Sequence, residues 1–132
     1  RGVDVIDCSS GGIQGGGAFP PVPRVPGHHA EYSAEIRREA GVTTMTVGMI
    51  TSPLHAERLL ADGAADLIAL ARGLMQESEW PLRAAKELQV EDPFAVVPDE
   101  YAYRLRKLEE TRGLYPRGTA VTIPMTHDRG HA

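Results

Sequence analysis

The sequence predicts an α/β fold assembled from parallel β/α units, and three observations carry that expectation. Short apolar or β-branched runs alternate with longer stretches of helical spacing. The segments between successive strand-like runs are long enough for the helical crossovers that parallel strands need. Glycine, proline and serine mark the borders between them.

Val3 to Cys8 is a β-branched run halted by Ser9-Ser10-Gly11-Gly12. Residues 11–27, GGIQGGGAFPPVPRVPG, hold too much glycine and proline for a continuous helix or strand. They read as a long loop, a segment that in compact domains is usually functional or disordered. Helical spacing returns over His29 to Ala40, with Tyr32, Ile36 and Ala40 on one face and Gly41 suited to the position just past the end. Thr43 to Ile50 is a strand interrupted by Gly48. Ser52-Pro53 then starts a helix that reaches about Asp62-Gly63, with Leu54, Ala56, Leu59 and Leu60 on its apolar side.

Asp66 to Ala71 is the next strand, Gly73 to Glu77 a single helical turn, and Glu79 to Leu88 a helix containing Trp80, Leu82, Ala85 and Leu88. Beyond Gln89 the character changes: residues 91–98 are irregular, Tyr101 to Thr111 is charged and helical in spacing, and 113–132 reads as a flexible tail or an arm onto a neighbour. The domain reading is therefore 1–90 for the β/α units and 91–132 for a C-terminal extension, partly helical or flexible.

Composition narrows the function classes. A chain of 132 residues can bury one real core and not two substantial ones. A net charge of -4, with Lys and Arg interleaved among acids, argues against a nucleic-acid partner. No stretch approaches the ~20 consecutive apolar residues of a membrane span, so no membrane partner is expected. The single cysteine, Cys8, excludes an intramolecular disulfide, and a cytoplasmic location is expected. Cys8 has no partner histidine in a nucleophile motif and reads as a small strand residue. His127 and His131 stand four apart, but Gly130 and the polar context speak against a metal site, and no metal is expected. The opening Arg1-Gly2-Val3-Asp4 runs towards a strand without an initiator Met, as expected inside a longer protein.

The candidate site lies at two strand ends. Ligands of parallel α/β proteins sit at the carboxyl ends of the strands. Gly48 falls at one such end, and Ala71-Arg72-Gly73 follows the apolar run Leu67-Ile68-Ala69-Leu70 at the next. A glycine lets a phosphate approach the backbone, free N–H groups can donate to its oxygens, and a guanidinium adds a permanently charged, bidentate partner. Spacing alone leaves a second reading open, in which Gly48 serves packing and Arg72 pairs with a surface acid. Ser9-Ser10-Gly11-Gly12 could form an anion-binding nest, although these glycines do not fit the dinucleotide or P-loop patterns.

Several motifs carry a family resemblance: Ile6-Asp7-Cys8-Ser9-Ser10-Gly11, Val47-Gly48-Met49-Ile50-Thr51, Ala65-Asp66-Leu67-Ile68 followed by Arg72, and Trp80-Pro81-Leu82-Arg83-Ala84-Ala85-Lys86-Glu87-Leu88. In order and separation they resemble the carboxyl-terminal portion of the old yellow enzyme family, the NAD(P)H-dependent, FMN-containing ene-reductases, and most of all its short bacterial branch. The resemblance covers about residues 1–90. It implies the last three strands of a (β/α)8 TIM barrel, an incomplete barrel where ~250 residues are typical.

It also implies that Gly48, Met49, Ala71 and Arg72 hold FMN by its phosphate, with Ala71 where the family more commonly has Gly. NAD(P)H is the implied reductant and an activated alkene the implied substrate. Ser10 and Gly11 fall on the substrate side of the site, and the loop 11–27 falls at the active-site mouth, as a lid or a plain connector. The family's substrate-anchoring His pair and Tyr proton donor lie on earlier strands; His28-His29, in the loop after the sixth strand, is not that pair. Pro98-Asp99-Glu100-Tyr101-Ala102-Tyr103-Arg104 is similar to the family's P-x-Q-Y-x-R segment, which gives an arginine to a neighbouring protomer, but its spacing is off by one and Glu replaces Gln. Arg104 is thus either such an arginine or part of a solvated helix. The expected partners are a second copy of the chain or the missing part of the barrel. The alternative is a catalytically inactive barrel module that oligomerises and binds a phosphate ligand.

Overall fold

Three short strands, β1 (Val5–Cys8), β2 (Thr43–Thr46) and β3 (Leu67–Ile68), pair in parallel in the order β1-β2-β3. Val5 stands beside Thr43, Asp7 beside Met45, and Met45 beside Leu67. The computed structural model describes residues 2–10 and 25–112, and the chain divides into two compact units, Arg1–Val96 and Val97–Ala132. The first unit adds α1 (Ala30–Ala40), α2 (Pro53–Ala61), α3 (Arg72–Gln76), α4 (Trp80–Glu87) and a 3₁₀ turn over Pro93–Val96. The second holds α5 (Asp99–Arg112). The α/β class and the parallel strand pairing are those that the sequence predicts.

Local chemistry sets the helix borders. Gly41 ends α1 in the left-handed region at φ 61°, and its N–H donates to the Arg37 carbonyl. Ser52 caps α2 by accepting from the His55 N–H, and Pro53 occupies the first turn, where its missing N–H costs nothing. β3 is shorter than the apolar run suggests. Only Leu67 and Ile68 keep strand geometry, and one further bond, from the Ala69 N–H to the Thr46 carbonyl, carries the pairing on.

Packing departs from the helical spacing in two places. α1 buries Ser33, one turn on from His29, while Tyr32 is exposed. The Ser33 hydroxyl bonds the carbonyls of Ala30 and Ala64, so a small polar side chain, and no large apolar one, sits where α1 meets the chain before β3. In α2, Pro53 and Ala56 are buried and Leu54 is exposed. In α4, Leu82, Ala84 and Ala85 are buried.

The sheet has two unlike faces. Alternation puts Cys8, Thr44 and Thr46 on one face, all buried beside the helices. The hydroxyls of Thr44 and Thr46 have no partner among the described residues, so both side chains serve as valine-shaped filling. The other face carries Val5, Asp7, Thr43 and Leu67, all exposed, with Val5 at 41% and Leu67 at 45%. Parallel sheets ordinarily bury both faces. Within the described residues this one is covered on one side only.

A carboxylate fastens the lower edge. Asp66 accepts from the Thr44 N–H (3.0 Å) and from Arg37 Nε (2.9 Å), tying the start of β3 to β2 and α1. The Thr44 N–H and then the Arg37 guanidinium hold its carboxyl below the ordinary carboxylate value. Folding therefore favours the ionised form. The stabilisation is complete above the ordinary carboxylate range and is lost as pH falls through the lowered value. Asp66→Asn should lower the melting temperature at neutral pH, and the gap from the parent chain should close on acidification. Thermal melts followed by circular dichroism at several pH values check this; a gap independent of pH would contradict it.

Candidate functional site

The cleft at the carboxyl ends of the strands is built on an unusual turn. After β2 the backbone enters the left-handed region at two successive residues, Gly48 (φ 129°) and Met49 (φ 52°). Only glycine adopts the first of these freely, and a methionine at the second is a local strain that the surroundings must hold. The Gly48 carbonyl accepts from the Gly27 N–H at 2.7 Å, which pins the approach to α1 against the turn.

A Cβ on Gly48 would lie 2.7 Å from the His28 ring. The expectation that a bare glycine leaves room for a phosphate is therefore modified: the imidazole of His28 takes the space on the Cβ side. His28 is held there by its Nδ1, which donates to the Val25 carbonyl at 3.0 Å.

The next residue bridges two strands. His29 is buried; its Nδ1 lies 3.0 Å from the Val47 carbonyl and its Nε2 2.6 Å from the Ser10 hydroxyl. A histidine at the entrance to α1 thus joins the residue after β2 to the residues after β1.

On the far side, the Thr51 carbonyl accepts from Trp80 Nε1 (2.9 Å) and from Arg83 (3.3 Å). Arg83 also binds both carboxylate oxygens of Glu77 and one of Glu87. The Glu77 bond is the main reason that its guanidinium holds its proton even more firmly than usual. The chain after β2 is therefore clamped to α4 at Thr51 and to the start of α1 at Gly48.

Between these clamps lies a cleft of about 610 Å³, lined by Ser10, His28, Gly48, Met49, Ala71 and Arg72 among others. No carboxylate lines it among the described residues. Arg72, the first residue of α3, is exposed and has no ion pair or side-chain hydrogen bond within those residues. An unpaired guanidinium in a cleft without acids is an electrostatic setting for an anion.

The four residues expected at the two strand ends, Gly48, Met49, Ala71 and Arg72, thus come together in one cleft, and Ser10 joins them. Gly11, most of the loop 11–27, His127 and His131 lie outside the described residues. Arg104 is on α5 in the second unit, its guanidinium 5.7 Å from the ring centre of Tyr103. Cys8 is buried, and burial, aided by the charge of Asp7, keeps its thiol protonated, which leaves it a packing residue. Sequence reasoning missed four members of the frame: His28, His29, Trp80 and Arg83. The i, i+4 spacing of Arg83 and Glu87, one turn on from Trp80, was the available signal for the last two.

Parallel β/α units here meet at a cleft that holds one guanidinium and no carboxylate among the described residues. Comparison with known proteins supplies the family. The sequence profile of the NADH:flavin oxidoreductase / NADH oxidase family matches residues 3–91, and the chain belongs to this family. An NADPH dehydrogenase of Geobacillus sp. (strain WCH70) is 48% identical over 89 residues, which are 67% of this chain and 25% of that protein. An NADPH dehydrogenase of Bacillus subtilis (strain 168) is 38% identical over 96 residues, 73% of this chain and 27% of that protein. The chain spans about a quarter of the length of these relatives.

The Gly48 turn yields a direct test. Gly48→Ala must accommodate a Cβ at φ 129° and displace His28. A cost of roughly 1–3 kcal/mol is expected from the backbone alone. Chemical denaturation should show it, and an alanine variant as stable as the parent would contradict this account of the turn.

Proposed function

We propose that this chain forms the part of an FMN-dependent NAD(P)H oxidoreductase that holds the cofactor's phosphate. The observation that carries the proposal is the unpaired Arg72 guanidinium in a carboxylate-free cleft at the ends of β2 and β3. The residues present suit a nucleotide phosphate. Arg72 offers a permanent, bidentate charge, and Met49, Ile50, Ala71 and Arg72, which line the cleft, have backbone N–H groups with no acceptor outside the helices and strands among the described residues. Its volume falls within the usual range for cofactor sites. The thioether of Met49, 43% exposed, adds an apolar contact.

Each residue's task is binding and orientation. Arg72 neutralises and aligns the phosphate, and the Gly48–Thr51 turn presents backbone to it. Trp80 and Arg83 keep that turn in place through the Thr51 carbonyl. When bound, FMN supplies the hydride relay from NAD(P)H to the β-carbon of an activated, electron-poor alkene. NADPH is the favoured reductant, since the relatives carry the name NADPH dehydrogenase. The uncovered sheet face with Val5 and Leu67 is the surface on which the rest of a barrel would pack, in one polypeptide or between copies.

Arg72→Ala removes a charge-assisted, two-pronged contact and should weaken FMN binding roughly ten- to hundredfold. Fluorescence titration with FMN measures this directly, and bleaching of the yellow absorbance by NADPH reports reduction. Retention of FMN unchanged in the variant would refute the assignment. A colourless oligomer that ignores FMN would support the inactive module instead.

A further inference from the structure

Arg72 stands between two carboxylates in the chain, Asp66 six positions before it and Glu77 five after. An acid that reached Arg72 would compete with any anion in the cleft for the same guanidinium. Asp66 is engaged elsewhere, by the Thr44 N–H and Arg37. Glu77 is the nearer of the two. It directly follows α3, whose five residues carry it about 7.5 Å along the helix axis from Arg72, a gap that two long side chains can span. Its neighbour Gln76 lines the cleft, and Glu77 does not.

Glu77 is held from the other side. Both its carboxylate oxygens accept from Arg83 Nε, at 2.8 and 3.0 Å, and Glu87 accepts from Arg83 Nη1 at 2.9 Å. An ion pair that uses both oxygens and belongs to a network holds better than a lone surface pair. Anchoring the turn does not account for this contact, because the Thr51 carbonyl already accepts from Trp80 at 2.9 Å, closer than the 3.3 Å to Arg83. We propose that Arg83 is a positioning residue that keeps Glu77 against α4 and away from Arg72, and so leaves the Arg72 guanidinium open to the nucleotide phosphate. The inference rests on the flavin reading above and deepens it. A change at position 83 then acts on phosphate binding from a distance, through a carboxylate of the chain itself that competes for the same cation.

The experiment titrates FMN, and riboflavin, which lacks the phosphate, into the full chain and into Arg83→Leu, Glu77→Gln and the double variant, at low and high salt. Circular dichroism checks that each variant is folded. At low salt Arg83→Leu should weaken FMN roughly three- to fivefold, the effect of one exposed ion pair, and should spare riboflavin. The loss should fade at high salt, which screens the competing charge. Adding Glu77→Gln should restore the parental FMN affinity although Arg83 is still missing, and Glu77→Gln alone should bind FMN no more weakly than the parent chain. If Arg83→Leu does not fold, Arg83→Lys, which loses the planar fork, carries the same test with the same rescue.

A double variant as weak as Arg83→Leu would overturn the inference, since Arg83 would then act only through the turn. So would an equal loss for both flavins, a loss that persists at high salt, a loss in Glu77→Gln alone, or no loss in Arg83→Leu. A parent chain that binds neither flavin would remove the flavin reading itself and this inference with it. A parent chain that binds FMN without rescue in the double variant would remove only this role of Arg83.

Discussion

The backbone carbonyl of Thr51 is the point on which the site depends. Two side chains of α4, Trp80 and Arg83, donate to it and so fix the far end of the left-handed turn at Gly48 and Met49. That anchor helps to hold a methionine at φ 52°. The near end is fixed by the Gly27 N–H on the Gly48 carbonyl. The two arginines of this region have opposite fates. Arg83 is saturated by Glu77, Glu87 and Thr51 and lies 5.8 Å from the Trp80 ring centre. Arg72, eleven positions earlier, has no such partners among the described residues. One guanidinium is structure, and the other stands open to the cleft.

The same division between filled and open positions is visible in the sheet. Its helix-side face is filled with Cys8, Thr44 and Thr46, and much of the remaining core is alanine, with Ile50, Leu82 and Phe94 the larger contributors. The opposite face exposes Val5 and Leu67, and both outer strands have an unpaired edge among the described residues. A face and two edges of this kind are what a closed barrel consumes. The cleft lies at the carboxyl ends of the three parallel strands, where ligands of parallel α/β proteins bind.

Much of this is legible in the residues. Alternating strand-like and helical spacing announces the parallel α/β class, and Gly41, Ser52 and Pro53 mark the helix borders because capping chemistry is local. The motifs around Gly48 and Arg72 indicate a shared cleft. What the spacing hides are contacts between positions distant in the chain. The bond of Ser33 to Ala64, which decides the buried face of α1, joins residues 31 apart. His28 filling the space beside Gly48, and His29 joining Ser10 to Val47, likewise need the loop before α1 to be laid across the end of β2. Periodicity places Leu54 inward, yet the close approach of α2 is made by Pro53 and Ala56, small enough to let the helix down onto its neighbours.

A crystal structure of the full chain with FMN bound tests the central claim most directly. The account predicts the phosphate between the backbone of the Gly48–Ile50 turn and the Arg72 guanidinium, with the Thr51 carbonyl still bonded to Trp80 and Arg83. A phosphate lodged elsewhere, with Arg72 turned to solvent, would contradict it.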